Sequence, residues 1–312
     1  MWLDFKITNR CNNSCTYCGV KHDNIQAKET LPIEAINKTI SSALDLGFEN
    51  FAFLGGEPSV SDNICDLFSS FKNRTDTKVL VITNGIIYNE KMVDCAFSCK
   101  SKEAFIVQSF DSFKKPNYKN QDPGFVLDNI KLMINTAKKY ETDYFKRGVH
   151  VHSVISRENL NNVYDLVDYF FSRNIDISLG LVCPSTFENS IDKRKCNNFS
   201  FKELELILNQ LEKLNDEKKL NKANCILMKY LTEFPYGKVK FSEECKAGRE
   251  HVIIDQFGEV FPCVTQSYLK EKKYGNIKET PFEDIFSKLK GFKCNDDFAP
   301  ACWDHYLWSQ IQ

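Results

Sequence analysis

The chain has 312 residues, of which 42% are hydrophobic and 27% charged, and a formal net charge of −1. That length accommodates a main domain of about 200 residues and a smaller one, and the near-neutral charge gives no reason to expect nucleic acid or an anionic membrane as a partner. No apolar run reaches transmembrane length and no basic-then-apolar leader is present, so a cytoplasmic protein is expected, whose 13 cysteines serve as metal ligands and reduced thiols rather than as disulfides.

The first predicted element is a strand over Trp2–Thr8. Cys11, Cys15 and Cys18 follow it at C-x-x-x-C-x-x-C spacing. Three soft thiolates on one loop can hold three corners of a cubane iron–sulfur cluster. The next cysteine, Cys65, is far along the chain, so one iron is expected to lack a protein ligand and to bind a small molecule. A zinc knuckle is the alternative, although such sites usually pair two C-x-x-C units or include histidine. A helix is predicted over Pro32–Gly47, with Pro32 in its first turn and Ile33, Ile36, Ile40, Ala43 and Leu44 as its apolar stripe. The strand Phe51–Leu54 then ends in Gly55-Gly56-Glu57-Pro58. Its glycines let the backbone approach a ligand, and Glu57 offers an acceptor to an ammonium group; a plain turn accounts for the same residues.

Helices over Asn63–Lys72, Asn89–Phe97, Phe125–Tyr140 and Asn159–Arg173 alternate with strands over Lys78–Thr83, Ala104–Phe110, Gly148–Ile155 and Ile175–Val182. This rhythm implies a parallel sheet, and six such units fit an α/β fold, a partial (β/α)6 TIM-like barrel with ligands at the C-terminal strand ends. The cysteine loop, Gly55–Pro58, Thr83–Gly85 and Gln108–Asp111 all fall at such ends. His150 and His152 alternate on the fifth strand and point one way, either inward to a substrate or as hydrogen-bonded core or surface residues. After the polar connector Pro184–Ser200, helices are predicted over Phe201–Leu220 and near Asn224–Phe234. A hairpin follows, His251–Ile254 and Glu259–Pro262 joined through Asp255-Gln256-Phe257-Gly258, with Cys245 before it and Cys263 directly after. The expected division is a barrel over residues 1–200, a helical linker over 201–236 and a small C-terminal α+β domain over 237–312.

The Cys11, Cys15, Cys18 signature, with Tyr17 before its last cysteine, resembles that of radical S-adenosylmethionine (SAM) enzymes, and Gly55–Pro58 matches their SAM-binding loop. In that family the open iron chelates the amino and carboxylate groups of SAM. Reductive cleavage then yields a 5′-deoxyadenosyl radical that takes a hydrogen atom from the substrate. The resemblance implies that Gly55, Gly56, Glu57 and Pro58 hold the SAM amino group, with Tyr17 and Asn84 also in the cofactor site. It places Ser109 and Asp111 at the ribose hydroxyls, unless they cap the following turn. Arg157 and Asn159 fall where the family contacts the SAM carboxylate or ribose, although Asn159 also suits an N-cap.

The frame around Cys245 and Cys263, with the stretch from Tyr274 to Phe286, is similar to the start of the SPASM and Twitch extensions that carry auxiliary clusters. The dense cysteine string of a full SPASM pattern is missing: only Cys294 and Cys302 remain, with His305 three residues after Cys302. That suffices for one auxiliary cluster, so Twitch is the better label and two [4Fe–4S] clusters are expected in all. Cys245, Cys263 and Cys302 are the firmer ligands, and the fourth is Cys294 or His305.

Enzymes with such extensions mostly crosslink or epimerise ribosomally made peptides; others are dehydrogenases or epimerases of aminocyclitols and sugars. The resemblance therefore implies a radical SAM oxidoreductase of natural-product biosynthesis, acting on a peptide or small molecule and reduced by flavodoxin or ferredoxin. The chain begins at the first strand, so a leader-peptide-binding segment is expected to be absent or carried by a separate protein. Cys183, after the sixth strand, is the candidate to return a hydrogen atom in an epimerase, against a bland role as a buried apolar thiol. A non-enzymatic iron–sulfur or zinc module is the third reading.

Overall fold

The computed structural model describes residues 1–15, 18, 31–62, 64–71, 74–116, 121–182, 199–233 and 246–293. Strand β1 (Trp2–Thr8) shows how the two faces of the sheet are divided. Leu3, Phe5 and Ile7 join the main apolar core, whereas Trp2 lies in a separate cluster with Ala52, Leu80 and Val107. Successive side chains of a strand point to opposite faces, so the second cluster marks the barrel interior. Strands β2 (Asn50–Gly55), β3 (Lys78–Thr83), β4 (Glu103–Ser109), β5 (Lys146–Ile155) and β6 (Asp176–Leu181) follow, each parallel to the one before.

Between them run α1 (Ile33–Asp45), α2 (Ile64–Phe68), α3 (Glu90–Ser98), α4 (Pro123–Tyr140) and α5 (Val163–Phe171). Their apolar residues recur at helical spacing, such as Ile36, Ile40 and Ala43 in α1 or Val126, Ile130, Met133 and Ala137 in α4, and all of these join the main core. The result is the expected partial (β/α)6 TIM-like barrel. It is open, because β6 lies at one edge of the sheet while β1 pairs on its far side with a later strand.

That later strand is β7 (His251–Ile254), reached through α6 (Phe201–Asp216) and α7 (Lys222–Glu233). It pairs with β1 in parallel, and β8 (Glu259–Phe261) returns antiparallel to it as the predicted hairpin. Asp255 closes the turn by accepting the backbone N–H groups of Phe257 and Glu259, and Gly258 adopts φ +88°. The short helix α8 (Val264–Leu269), strand β9 (Gly275–Asn276) and helix α9 (Phe282–Leu289) follow. Phe282 and Phe286 of α9 pack edge-on against Phe48, just past α1. The C-terminal strands thus continue the barrel's own sheet, which has nine strands among the described residues.

Three predicted helices differ in extent. The one expected over Asn63–Lys72, whose two end residues lie outside the described ones, divides into α2 and a 3-10 turn, Ser69–Phe71. The one expected from Asn159 opens as a 3-10 turn, Leu160–Asn162, before α5. The one expected to reach Leu220 stops at Asp216, because Lys218 takes a left-handed conformation, φ +56°. The expectation that all cysteines are ligands or reduced thiols is also corrected. Cys65 of α2 and Cys95 of α3 form a disulfide, their Cα atoms 5.5 Å apart on neighbouring helices. Among the described residues no helix is long and apolar enough to cross a membrane.

Candidate functional site

At the C-terminal ends of β1, β2 and β3, backbone and side chains tie three loops together. Gly55 and Gly56 permit the first contact. A Cβ on Gly55 would strike the Thr8 carbonyl, and one on Gly56 the Arg10 carbonyl, so only glycine lets the β2 end lie against the start of the cysteine loop. The Gly56 N–H donates to Thr8 O at 2.7 Å, and the Glu57 N–H to Arg10 O at 2.8 Å. The close approach that the glycines allow is therefore to the chain's own backbone.

The side chain of Glu57 is wholly buried. Its Oε1 accepts the Ser59 N–H at 3.0 Å and the Thr83 hydroxyl at 2.6 Å, and its Oε2 accepts the Asn84 N–H at 2.7 Å. The carboxylate thus fastens the β3 end to the β2 end. Asn84 extends this network: its side-chain nitrogen donates to Asn12 Oδ1 at 2.8 Å and approaches Cys11 Sγ at 3.8 Å.

The cysteine loop bears the marks of a cluster site. Cys11 Sγ accepts the Asn13 N–H at 3.4 Å, and the Cys18 N–H donates to Cys15 O at 3.2 Å. All three cysteines are free thiols, and N–H groups aimed at sulfur suit a cluster thiolate. The buried Asn12 amide nitrogen beside them has no acceptor among the described residues. Desolvation lifts the Cys11 thiol, the Asn13 N–H opposes it, and the charges of Glu57 and Cys18 raise it further. A bound iron would outweigh these effects by deprotonating the thiol outright. The donor set fits a cubane held at three corners.

Other predicted site residues are engaged within the protein. Asp111 is buried and its Oδ1 accepts the Val154 N–H at 2.9 Å. Ser109 faces the interior, and its carbonyl accepts from Gln108 and Gln121. Arg157 reaches away to Glu203 at 3.0 Å, on the exposed start of α6. Asn159, weighed as an N-cap, makes no cap bond. Instead its side chain accepts the Ser156 N–H and donates to the carbonyls of Asp111 and Val154, joining the ends of β4 and β5. Thr83 and Gln108 lie in the strand-end stretches that the sequence pointed to, whereas Gln121, just before α4, was missed because a glutamine in a loop carries no motif of its own.

Cys263 is buried, caps α8 by accepting the Gln266 N–H at 3.5 Å, and packs with Ala247 and Phe292. Tyr17, Cys183, Cys245, Cys294, Cys302 and His305 lie outside the described residues. Among the described residues no group of three or more His, Cys, Asp or Glu side chains is gathered for a single metal ion.

An open parallel barrel with a three-thiol loop at its mouth defines a class of cluster-dependent barrel enzymes. The chain belongs to the radical SAM superfamily, whose family model matches residues 5–170, and a SPASM iron–sulfur cluster-binding domain matches residues 245–304. Its cofactors are accordingly [4Fe–4S] clusters and SAM. The cysteine count favours the smaller Twitch pattern; the model that matches is that of SPASM. The chain is 25% identical to the antilisterial bacteriocin subtilosin biosynthesis protein AlbA of Bacillus subtilis (strain 168), over 97% of this chain and 63% of that protein. It is 23% identical to a GTP 3′,8-cyclase of Clostridium perfringens (strain SM101 / Type A), over 56% of this chain and 53% of that one. It thus spans less than two thirds of either relative. Streptococcus suis SuiB bound to precursor peptide SuiA shares the fold, with TM-score 0.69 at 16% identity over 95% of this chain and 68% of that one. So does anSMEcpe with bound AdoMet, with TM-score 0.61 at 16% identity over 100% and 83%.

Proposed function

We propose that this radical SAM enzyme modifies a ribosomally made peptide by oxidative crosslinking or epimerisation. The observation that supports this reading is the similarity to AlbA, which runs through nearly the whole chain and includes the SPASM stretch. Cys11, Cys15 and Cys18 would hold the SAM-cleaving cluster. Cys245, Cys263 and Cys302, with Cys294 or His305, would hold the auxiliary one. When bound, the cluster and SAM supply a 5′-deoxyadenosyl radical. The protein's share is to orient SAM at Gly55–Pro58, with Asn84 and Ser109 beside it, Arg157 being engaged by Glu203, and to keep the peptide in the barrel interior. Cys183, after β6, would return a hydrogen atom if the outcome is epimerisation. Flavodoxin or ferredoxin would reduce the enzyme, and a separate leader-binding protein would present the peptide. The domain division is residues 1–200, 201–236 and 237–312.

A small-molecule substrate is the second reading, favoured by the GTP 3′,8-cyclase relative, whose name specifies a nucleotide. Anaerobically reconstituted enzyme given SAM, reductant and a peptide encoded beside its gene should yield 5′-deoxyadenosine and a mass change in the peptide. Iron should approach about eight atoms per chain, as two cubanes require, and fall by half when Cys11, Cys15 and Cys18 are all changed to Ala. SAM cleavage that proceeds with a nucleotide or sugar but leaves every such peptide unaltered would replace the first reading with the second.

A further inference from the structure

Asn84, directly after β3, brings a side chain from another part of the chain up to a sulfur of the cysteine loop. Its polar atoms are all held. The backbone N–H donates to Glu57 Oε2 at 2.7 Å, and the carbonyl accepts from Gln121 at 2.6 Å. The side-chain oxygen accepts the Ile86 N–H at 2.9 Å, so the amide cannot turn over without setting two donors face to face. The nitrogen is therefore the end that faces the loop. One of its hydrogens goes to Asn12 Oδ1 at 2.8 Å, and the other lies towards Cys11 Sγ, with nitrogen and sulfur 3.8 Å apart.

The groups that hold Asn84 are themselves buried. Glu57 is wholly enclosed, and Gln121, also buried, donates in addition to Ser109 O. Asn84 is thus braced by the β2 end on one side and by the start of α4 on the other. Cys11 also accepts the Asn13 N–H, but that donor belongs to the loop and moves with it. Asn84 approaches the same sulfur from the fixed wall of the barrel. Its amide has no hydrogen left over, so a SAM group that took one would have to displace Asn12 or Cys11.

We propose that Asn84 tunes the reduction potential of the SAM-cleaving cluster by donating an N–H···S hydrogen bond to Cys11. The proposal rests on the assignment of that cluster to Cys11, Cys15 and Cys18. Reduction brings in one electron from an external one-electron donor and no proton, and the added charge is shared with the cysteine sulfurs. An N–H dipole aimed at a sulfur favours the more negative state, so the bond raises the potential. The charge of Glu57 also reaches Cys11 and acts in the opposite direction. Asn84 stands between the two, taking the carboxylate on its backbone N–H and turning the positive end of its amide to the sulfur.

The test is an anaerobic dithionite titration of the reconstituted holoenzyme, followed by electron paramagnetic resonance. The cluster that is missing when Cys11, Cys15 and Cys18 are all changed to Ala is the one to follow. Asn84→Ala removes the donor and adds no charge, and should shift the reduction equilibrium towards the oxidised form by about threefold or more. Asn84→Asp still accepts the Ile86 N–H but sets a carboxylate against the sulfur. Its shift should reach about tenfold, equivalent to about 60 mV for one electron. Any second cluster in the same protein should keep its potential. With 15N in the asparagine side chains, the reduced wild-type cluster should show hyperfine coupling to an amide 15N, and Asn84→Ala should lose it. An unchanged or raised potential in Asn84→Ala overturns the proposal, and that variant decides alone if Asn84→Asp fails to load iron. Coupling that survives in Asn84→Ala comes from another asparagine and overturns it too. A wild type that binds no cubane overturns the three-cysteine assignment and the role of Asn84 with it.

Discussion

Glu57 has no surface in contact with solvent, and both of its carboxylate oxygens are occupied by donors from two strand ends. Its charge is used to assemble the mouth of the barrel, and Glu57→Ala would strand three N–H and O–H donors in a dry interior. Each such orphan costs about 1–3 kcal/mol, less where the site relaxes or admits water. Urea denaturation of the cluster-free protein should therefore show Glu57→Ala to be destabilised by about 2–5 kcal/mol. Reconstitution should also load less iron, since Asn84 loses its anchor beside Cys11. An unchanged urea midpoint would refute this role. His150 gives a pH-dependent counterpart. Its folded-state value of about 3 lies below the unfolded value near 6.5, so between these limits the unfolded chain binds more protons. Stability is then lost as pH falls below about 6.5. At pH 5 this amounts to on the order of 1–2 kcal/mol, allowing for water in the barrel. His150→Gln should lose less stability than the wild type between pH 7.5 and pH 5, and parallel losses would show that the ring titrates normally.

At the scale of elements, the mouth is a set of loops sewn together by backbone contacts, and Gly56 is where the seam is tightest. Gly56→Ala would push a methyl group into the Arg10 carbonyl, separating the β2 end from the cysteine loop. Iron content after reconstitution should drop towards half, while circular dichroism keeps the wild-type helix signal. Full iron loading would mean that the loop tolerates the shift. The strand–helix alternation and the cysteine and Gly-Gly-Glu-Pro motifs were legible in the sequence, because period-two strands and buried helix stripes leave strong patterns. What a side chain bonds to was not. Asp111 and Asn159 read equally as ligands or caps, yet both turn inward to join β4 to β5, a contact between residues 48 apart in sequence. The Cys65–Cys95 bridge escaped for the same reason: cysteine parity carries no information on which helices face each other. Nor does the C-terminal hairpin announce from its own residues that it will pair with the first strand.

For the whole molecule, β1 is the strand that everything shares. It lies between β2 and β7, it leads into the cysteine loop, and His251 of β7 bonds to its Asp4 at 2.7 Å. One extra residue inserted between Phe5 and Lys6 would turn the following side chains to opposite faces. Such a variant should hold neither cluster, whereas the same insertion in the exposed turn at Thr142–Tyr144 should leave iron content intact. Loss of only one cluster would show that the two ends of β1 are independent. They are far apart. Cys11 lies beyond the C-terminal end of β1, whereas Cys263 sits beside Ala247 and Pro262, level with Trp2, whose N–H donates to Glu250 O. Seven residues of strand separate them by about 20 Å. β1 therefore acts as a ruler: the length of one strand fixes how far the cysteine loop at its C-terminal end stands from Cys263 at its N-terminal end.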